Sequence, residues 1–168
     1  MTIAVVLLAL VTAQRLGELL YARRNTRRLL ARGGVEKGAE HYFLIVGLHA
    51  AWLVGLWVLG WDRPADLFWL VVYLLLQAFR VWMLVSLGDR WTTRIIVVPG
   101  EPLVRRGPYR FLRHPNYLLV SAEIVVLPLV LGLAAYGLVF FVLNASILWI
   151  RIRAEERALG GGEGDEAA

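Results

Sequence analysis

The sequence predicts an all-α integral membrane fold with five transmembrane helices. Three observations carry that prediction. First, 59% of the 168 residues are hydrophobic and the mean hydropathy is +0.63, well above the ~45–50% apolar content of a soluble domain. Second, the apolar residues gather in five runs, at about 2–20, 43–60, 67–87, 117–133 and 134–150, and ~17–25 such residues let a helix span a bilayer. Third, the basic residues sit almost wholly between those runs. Residues 1–159 read as one membrane-embedded domain, and the glycine-rich acidic tail GGGEGDEAA over 160–168 has the composition of a disordered segment.

The first run, Met1 to Leu20, has its arginines behind it, not ahead of it. A cleaved secretory signal has the reverse order, so this run reads as a retained first helix. Loop 21–40 carries Arg23, Arg24, Arg27, Arg28, Arg32 and Lys37, whereas loop 61–66 carries only Arg63, beside Asp62 and Asp66. Loop 88–116 carries Arg90, Arg94, Arg105, Arg106, Arg110 and Arg113. The fourth and fifth runs abut around Pro128, Gly132 and Gly137, which predicts a helical hairpin with almost no loop; Arg151, Arg153 and Arg157 follow it. Five spans thus place fifteen of the eighteen basic residues on one side. The positive-inside rule makes that side cytosolic, with the N-terminus outside and the C-terminus inside.

The net charge of +5 therefore belongs to membrane loops and gives no support to nucleic-acid binding. The absence of cysteine excludes disulfides, thiolate nucleophiles and Cys-ligated zinc. Loop 88–116 is long for a connector, and such loops are often functional. Its runs TTRIIVV and EPLVRR flank Pro99-Gly100, which predicts a short hairpin on the membrane surface.

Polar residues inside the apolar runs are candidates for function because a membrane makes them costly. Arg15 and Glu18 are three apart and can pair on one helix face. Arg80, near Gln77, is placed to snorkel toward the cytosolic end of its helix. His41 and His49 are too few for a metal site; hydrogen-bonded structural roles are expected for both, and no metal. Glu123 follows Tyr117 and Ser121 into hydrophobic surroundings, where a lone carboxylate resists ionisation unless a cation lies near. It could accept a proton, counter a cationic cofactor or pair with Arg80. In the last helix Asn144, Arg151 and Glu155 fall at offsets 0, 7 and 11, which is one stripe at 3.6 residues per turn. An ordinary Arg–Glu pair would explain the last two; it leaves Asn144, deeper in the apolar run, without a reason. Pro115 suits the first turn of a helix.

The combination Arg106-Gly107-Pro108-Tyr109-Arg110, then Arg113-His114-Pro115-Asn116-Tyr117, then Glu155-Glu156 after a helical hairpin resembles the isoprenylcysteine carboxyl methyltransferase family, from about Gly88 to Leu159. The resemblance implies a methyltransferase that uses S-adenosylmethionine without a Rossmann fold, and no GxGxxG is present. It implies a cytosolic cofactor pocket built from the long loop, the Arg-His-Pro turn and the C-terminal helix end, involving Trp91, Val104, Gly107, Tyr109, His114, Pro115, Tyr117, Asn144 and Glu156. It further implies that Arg151 and Glu155 are catalytic, with Glu123 a third candidate, and that a lipid-like acceptor arrives sideways from the bilayer. Leu119 stands where many members have glycine, and the first half, with Arg15-Leu16-Gly17-Glu18-Leu19, looks like a bacterial branch, which implies the bacterial inner membrane. Some of that branch methylate phenolic lipids, so a prenylcysteine carboxylate and a phenol both stay open as acceptors. Parts of the pattern also occur in NADPH-dependent sterol reductases; the rival of another class is a non-catalytic scaffold or transporter.

Overall fold

The structure, a computed structural model, describes residues 2–102, 104–112 and 114–160, with side chains through Arg153. Five α-helices form one bundle: α1 (Ile3–Ala31), α2 (Tyr42–Gly60), α3 (Leu67–Leu87), α4 (Pro115–Val130) and α5 (Ala134–Gly160). Two three-residue strands, β1 (Val35–Lys37) and β2 (Ile95–Val97), pair antiparallel with Val35 opposite Val97.

Four of the helices are long and apolar enough to cross a membrane; the spans are Ile3–Ala31, Ala39–Gly60, Leu67–Arg90 and Ala134–Arg153. The chain is an integral membrane protein on this architecture. The fifth expected span differs. Helix α4 has 16 residues, about 24 Å at 1.5 Å per residue, against a hydrocarbon core of ~30 Å. Its place explains its length, because Leu119, Glu123, Ile124, Val126, Leu127 and Val130 are all buried. It is the inner helix of the bundle, sheathed by the longer ones.

Local chemistry fixes the helix ends. Thr2 caps α1 by accepting from the Val5 N–H (3.3 Å), and its hydroxyl donates to the Trp61 carbonyl (3.0 Å). Asp66 caps α3 through the Trp69 N–H (3.2 Å), while its own N–H donates to the Val130 carbonyl (2.8 Å). These contacts gather the poorly charged connections at one end of the bundle. Pro115 opens α4 at a position whose N–H has no helical partner anyway. The α4–α5 hairpin closes in three residues, with the Leu133 N–H donating to the Pro128 carbonyl (2.9 Å). At Gly137 a β-carbon would lie 3.2 Å from both Pro128 Cβ and the Val125 carbonyl oxygen, so a glycine lets the two helices approach.

The expected hairpin around Pro99-Gly100 is absent among the described residues. The strand β2 pairs instead with β1, in the other arginine-rich loop. Gly34 permits this, since a β-carbon there would sit 2.9 Å from Ile96 Cγ2 and 2.6 Å from the Leu29 carbonyl oxygen. The pairing ties loops 32–41 and 88–114 into one layer at the end opposite Thr2 and Asp66. The apolar core lies nearer the Thr2 end: Ala4, Leu7, Leu8 and Val11 of α1 pack with Trp52, Leu56, Tyr73, Ile124 and Leu127. The acidic tail expected over 160–168 lies outside the described residues, apart from Gly160 at the end of α5.

Candidate active site

Above that core the bundle opens into a cavity of about 310 Å³. Its walls come from all five helices, α3 through Arg80, and from the segment Trp91–Thr93. Most of the wall is apolar, including Leu16, Leu19, Ile45, Val46, Leu53 and Val120. Leu16 and Val46 line the cavity yet are 58% and 43% exposed, so it is open sideways between α1 and α2.

The inner end is a buried ionic network. Glu123, 1% exposed, accepts from Arg15 Nη2 (2.7 Å), Gln77 Nε2 (2.8 Å), Arg80 Nε (2.8 Å) and Arg80 Nη2. Glu18 accepts from Arg15 Nη1 (3.2 Å), Gln14 Nε2 (2.9 Å) and Arg80 Nη1 (2.9 Å). Two guanidiniums thus meet two carboxylates, and the cluster is neutral. The Arg15–Glu18 pairing follows its three-residue spacing. Arg80 does not snorkel as expected: it is 2% exposed and ion-paired within the bundle. Of the three roles open to Glu123, the pairing with Arg80 is present. Four donors occupy its oxygens, which leaves no lone pair for an incoming proton.

The other end of the cavity lies under the arginine-rich loops. Arg151, 7% exposed, donates from Nη2 to the Thr93 carbonyl (3.0 Å). The Tyr42 hydroxyl and Thr93 Oγ1 are 2.9 Å apart, and Arg94 stacks 4.3 Å above the Tyr42 ring while pairing with Glu36 (2.6 Å). Trp91 is held by a stacked Tyr21 (5.9 Å between centroids), and its carbonyl accepts from Asn25 Nδ2 (2.9 Å). His114 and Tyr117 stack at 5.4 Å.

Of the residues expected at the site, Trp91, Tyr117 and Arg151 line this one cavity, and His114 reaches it through the Tyr117 ring. Asn144 is fully buried between α5 and α4, where Nδ2 donates to Ser121 Oγ (3.1 Å). Val104, Gly107, Tyr109 and Pro115 lie outside the lining. Gly107 packs on the end of α3: its φ is +57°, and a β-carbon would fall 1.9 Å from Ser86 Oγ. The side chains of Glu155 and Glu156 lie outside the described residues, although α5 continues through both.

Among the polar atoms buried without a partner in the described residues, Trp91 Nε1, Asn144 Oδ1 and Asn25 Oδ1 lie near this end. A donor and acceptors left over beside a stacked imidazole–phenol pair suit a ligand with an aromatic base and a cationic group. The residues present therefore fit a sulfonium nucleoside. Sequence reasoning missed Asn25, which is 0% exposed and bridges to the carbonyls of Gly88 (3.2 Å) and Trp91 (2.9 Å). A signal existed: Asn25 shares a helix face with Tyr21, Ala22 and Leu29, none of them charged.

Comparison with known proteins supplies the remaining information. Residues 69–160 match the isoprenylcysteine carboxyl methyltransferase (ICMT) family. The uncharacterized protein YpbQ of Bacillus subtilis is 39% identical over 158 residues, covering 91% of this chain and 94% of the relative. An uncharacterized protein of Haemophilus influenzae is 25% identical over 158 residues, covering 90% and 91% respectively. No solved structure matches.

Proposed function

Because the chain belongs to the isoprenylcysteine carboxyl methyltransferase family, we propose that it is an S-adenosylmethionine-dependent O-methyltransferase acting on a lipid-like acceptor at the cytosolic membrane face. The observation that carries this reading is the single cavity that joins Trp91, Tyr117 and Arg151 to an apolar wall open toward lipid. S-adenosylmethionine, when bound, supplies an electrophilic methyl group.

Trp91, Tyr117 and His114 hold the cofactor, with Val104, Gly107, Tyr109, Pro115, Asn144 and Glu156 as the further contacts that the family resemblance implies. Aromatic faces stabilise a sulfonium, as they do other cations. Arg151 orients the acceptor oxygen, since a planar guanidinium fixes direction as well as charge. Glu155 stands one turn beyond Arg151 on α5 and takes the proton of a hydroxyl acceptor; a carboxylate acceptor needs no base. Holding the acceptor in line with the methyl group is the larger part of the work, because positioning supplies much of the rate in a displacement of this kind. The apolar wall admits the acceptor from the bilayer and keeps water from the reacting atoms.

Calorimetry on the detergent-purified protein tests the reading. S-adenosylmethionine and its demethylated product should bind, and NADPH should not. Binding of NADPH alone would replace the methyltransferase with a reductase, and binding of neither by folded protein would point to a scaffold or transporter.

A further inference from the structure

Away from the cavity and outside the membrane spans, two large apolar side chains stand open: Phe111 is 75% exposed and Leu112 41%. They follow the single helical turn Gly107–Arg110, and both of their N–H groups donate to the Pro108 carbonyl (3.1 and 3.0 Å). The turn has a fixed height on the bundle. Arg106 Nε donates to the Ser86 carbonyl (2.7 Å), and a β-carbon at Gly107 would lie 1.9 Å from Ser86 Oγ and 3.4 Å from Trp82 Nε1. Val81, Trp82 and Val85 are exposed on this last part of α3, within a span. The turn therefore sits beside a lipid-facing helix end, at the level where the hydrocarbon gives way to headgroups. Its charges differ from those of the neighbouring strand layer. There Arg28 pairs with Asp89 (3.2 Å), Arg32 and Arg90 with Glu101, and Arg94 with Glu36 (2.6 Å). Arg105 and Arg110 are exposed, and among the described residues neither has an ion pair. The sequence holds no acid between Glu101 and Glu123, and Glu123 is buried in the ionic network.

We propose that this turn is a binding site for an anionic phospholipid of the surrounding bilayer, in which Arg105 and Arg110 hold the lipid phosphate while Phe111 and Leu112 enter its acyl layer. The two halves of the site match the two halves of such a lipid. Exposed apolar side chains at a membrane surface gain by leaving water for the acyl boundary. A guanidinium fits a phosphate with two parallel hydrogen bonds, and cations beside a span draw negatively charged lipids from a mixed membrane. Arg106 is spoken for in part by Ser86 and serves to brace the turn. The assignment is independent of the methyl-transfer reading, since it uses neither the cavity nor Arg151.

The test uses the full chain, which has no cysteine, with Leu112→Cys carrying a bimane fluorophore in vesicles of equal parts phosphatidylcholine and phosphatidylglycerol. Bromines on the acyl chains of one lipid or of the other quench the label on contact. An arginine near a lipid surface is worth about fivefold in local preference, so brominated phosphatidylglycerol should be favoured at the label by about fivefold or more. Arg105→Gln with Arg110→Gln should bring the two lipids within about twofold. Arg105→Lys with Arg110→Lys should keep most of the preference, because the charge selects the lipid. Quenching with both lipids brominated should stay the same in these variants, which shows the turn still in place. Absence of quenching by either lipid would put the turn in water and overturn the assignment. So would equal quenching in the unaltered arginine background, or a preference that survives the double glutamine change. Glycerol phosphate added free in solution should leave the preference intact; its loss on that addition would assign the arginines to a soluble anion in place of a lipid.

Discussion

Arg151 is buried, and its one partner among the described residues is a backbone carbonyl, so most of its guanidinium remains available to a ligand. Replacing it with alanine should lower turnover about thirty- to a thousand-fold, the loss of one charge-assisted contact worth ~2–4 kcal/mol in the transition state. Affinity for S-adenosylmethionine should stay within a few-fold, and lysine should rescue poorly because it lacks the planar fork. His114→Ala should do the opposite, weakening cofactor binding in calorimetry. If Arg151→Ala abolishes cofactor binding while turnover at saturating cofactor survives, the division of roles is reversed. For Glu123 the prediction concerns stability. Glu123→Gln leaves Arg15 and Arg80 short of a carboxylate and should cost about 3–5 kcal/mol, read as a lowered thermal midpoint in detergent. Residue identity was legible where partners are close in sequence: the Arg15–Glu18 pair follows from spacing alone. The bond from Arg80 to Glu123 was open only as one of three roles, because nothing in the chain says that α3 and α4 meet at that height.

At the scale of elements, the bundle works through close approaches that glycines permit. Gly107→Ala places a β-carbon onto Ser86 and strains a left-handed backbone, so it should shift the Gly107–Arg110 turn off the end of α3 and weaken S-adenosylmethionine binding. Ser86→Gly in the same chain should recover only the steric share of the loss, since the φ of Gly107 stays unfavourable for alanine. Full recovery would mean that backbone strain is unimportant there. All five helices were legible as apolar runs, and four of them are long enough to span a membrane. The strand pairing was not: β2 lies just before the local turn signal at Pro99-Gly100, and its partner Val35–Lys37 lies about sixty residues earlier in a run with no β character of its own. The shortness of α4 was legible in its run, but its burial was hidden, because a buried helix and a lipid-facing one share the same apolar composition.

For the whole molecule, the contacts at the two ends sort the connections as the charge pattern does. Thr2, Trp61, Asp66 and Val130 meet at one end, and the arginine-rich loops pair at the other. The orientation predicted from charge is N-terminus outside. Single cysteines at Arg32 and Asp62 in intact cells check it: only the one at Asp62 should react with an impermeant thiol reagent, and labelling at Arg32 would invert the topology. The ionic network has a consequence for how such a chain is made. Arg15 and Glu18 lie on α1, whereas Arg80 and Glu123 come from α3 and α4. Each pair sums to zero charge by itself. A nascent first helix can therefore leave the ribosome and partition into lipid with its acid and base clasped together, long before the later helices exist. Arg80 and Glu123 differ, since they lie on separate helices and neutralise each other only once α3 and α4 have met, which favours the entry of those two helices into the bilayer side by side.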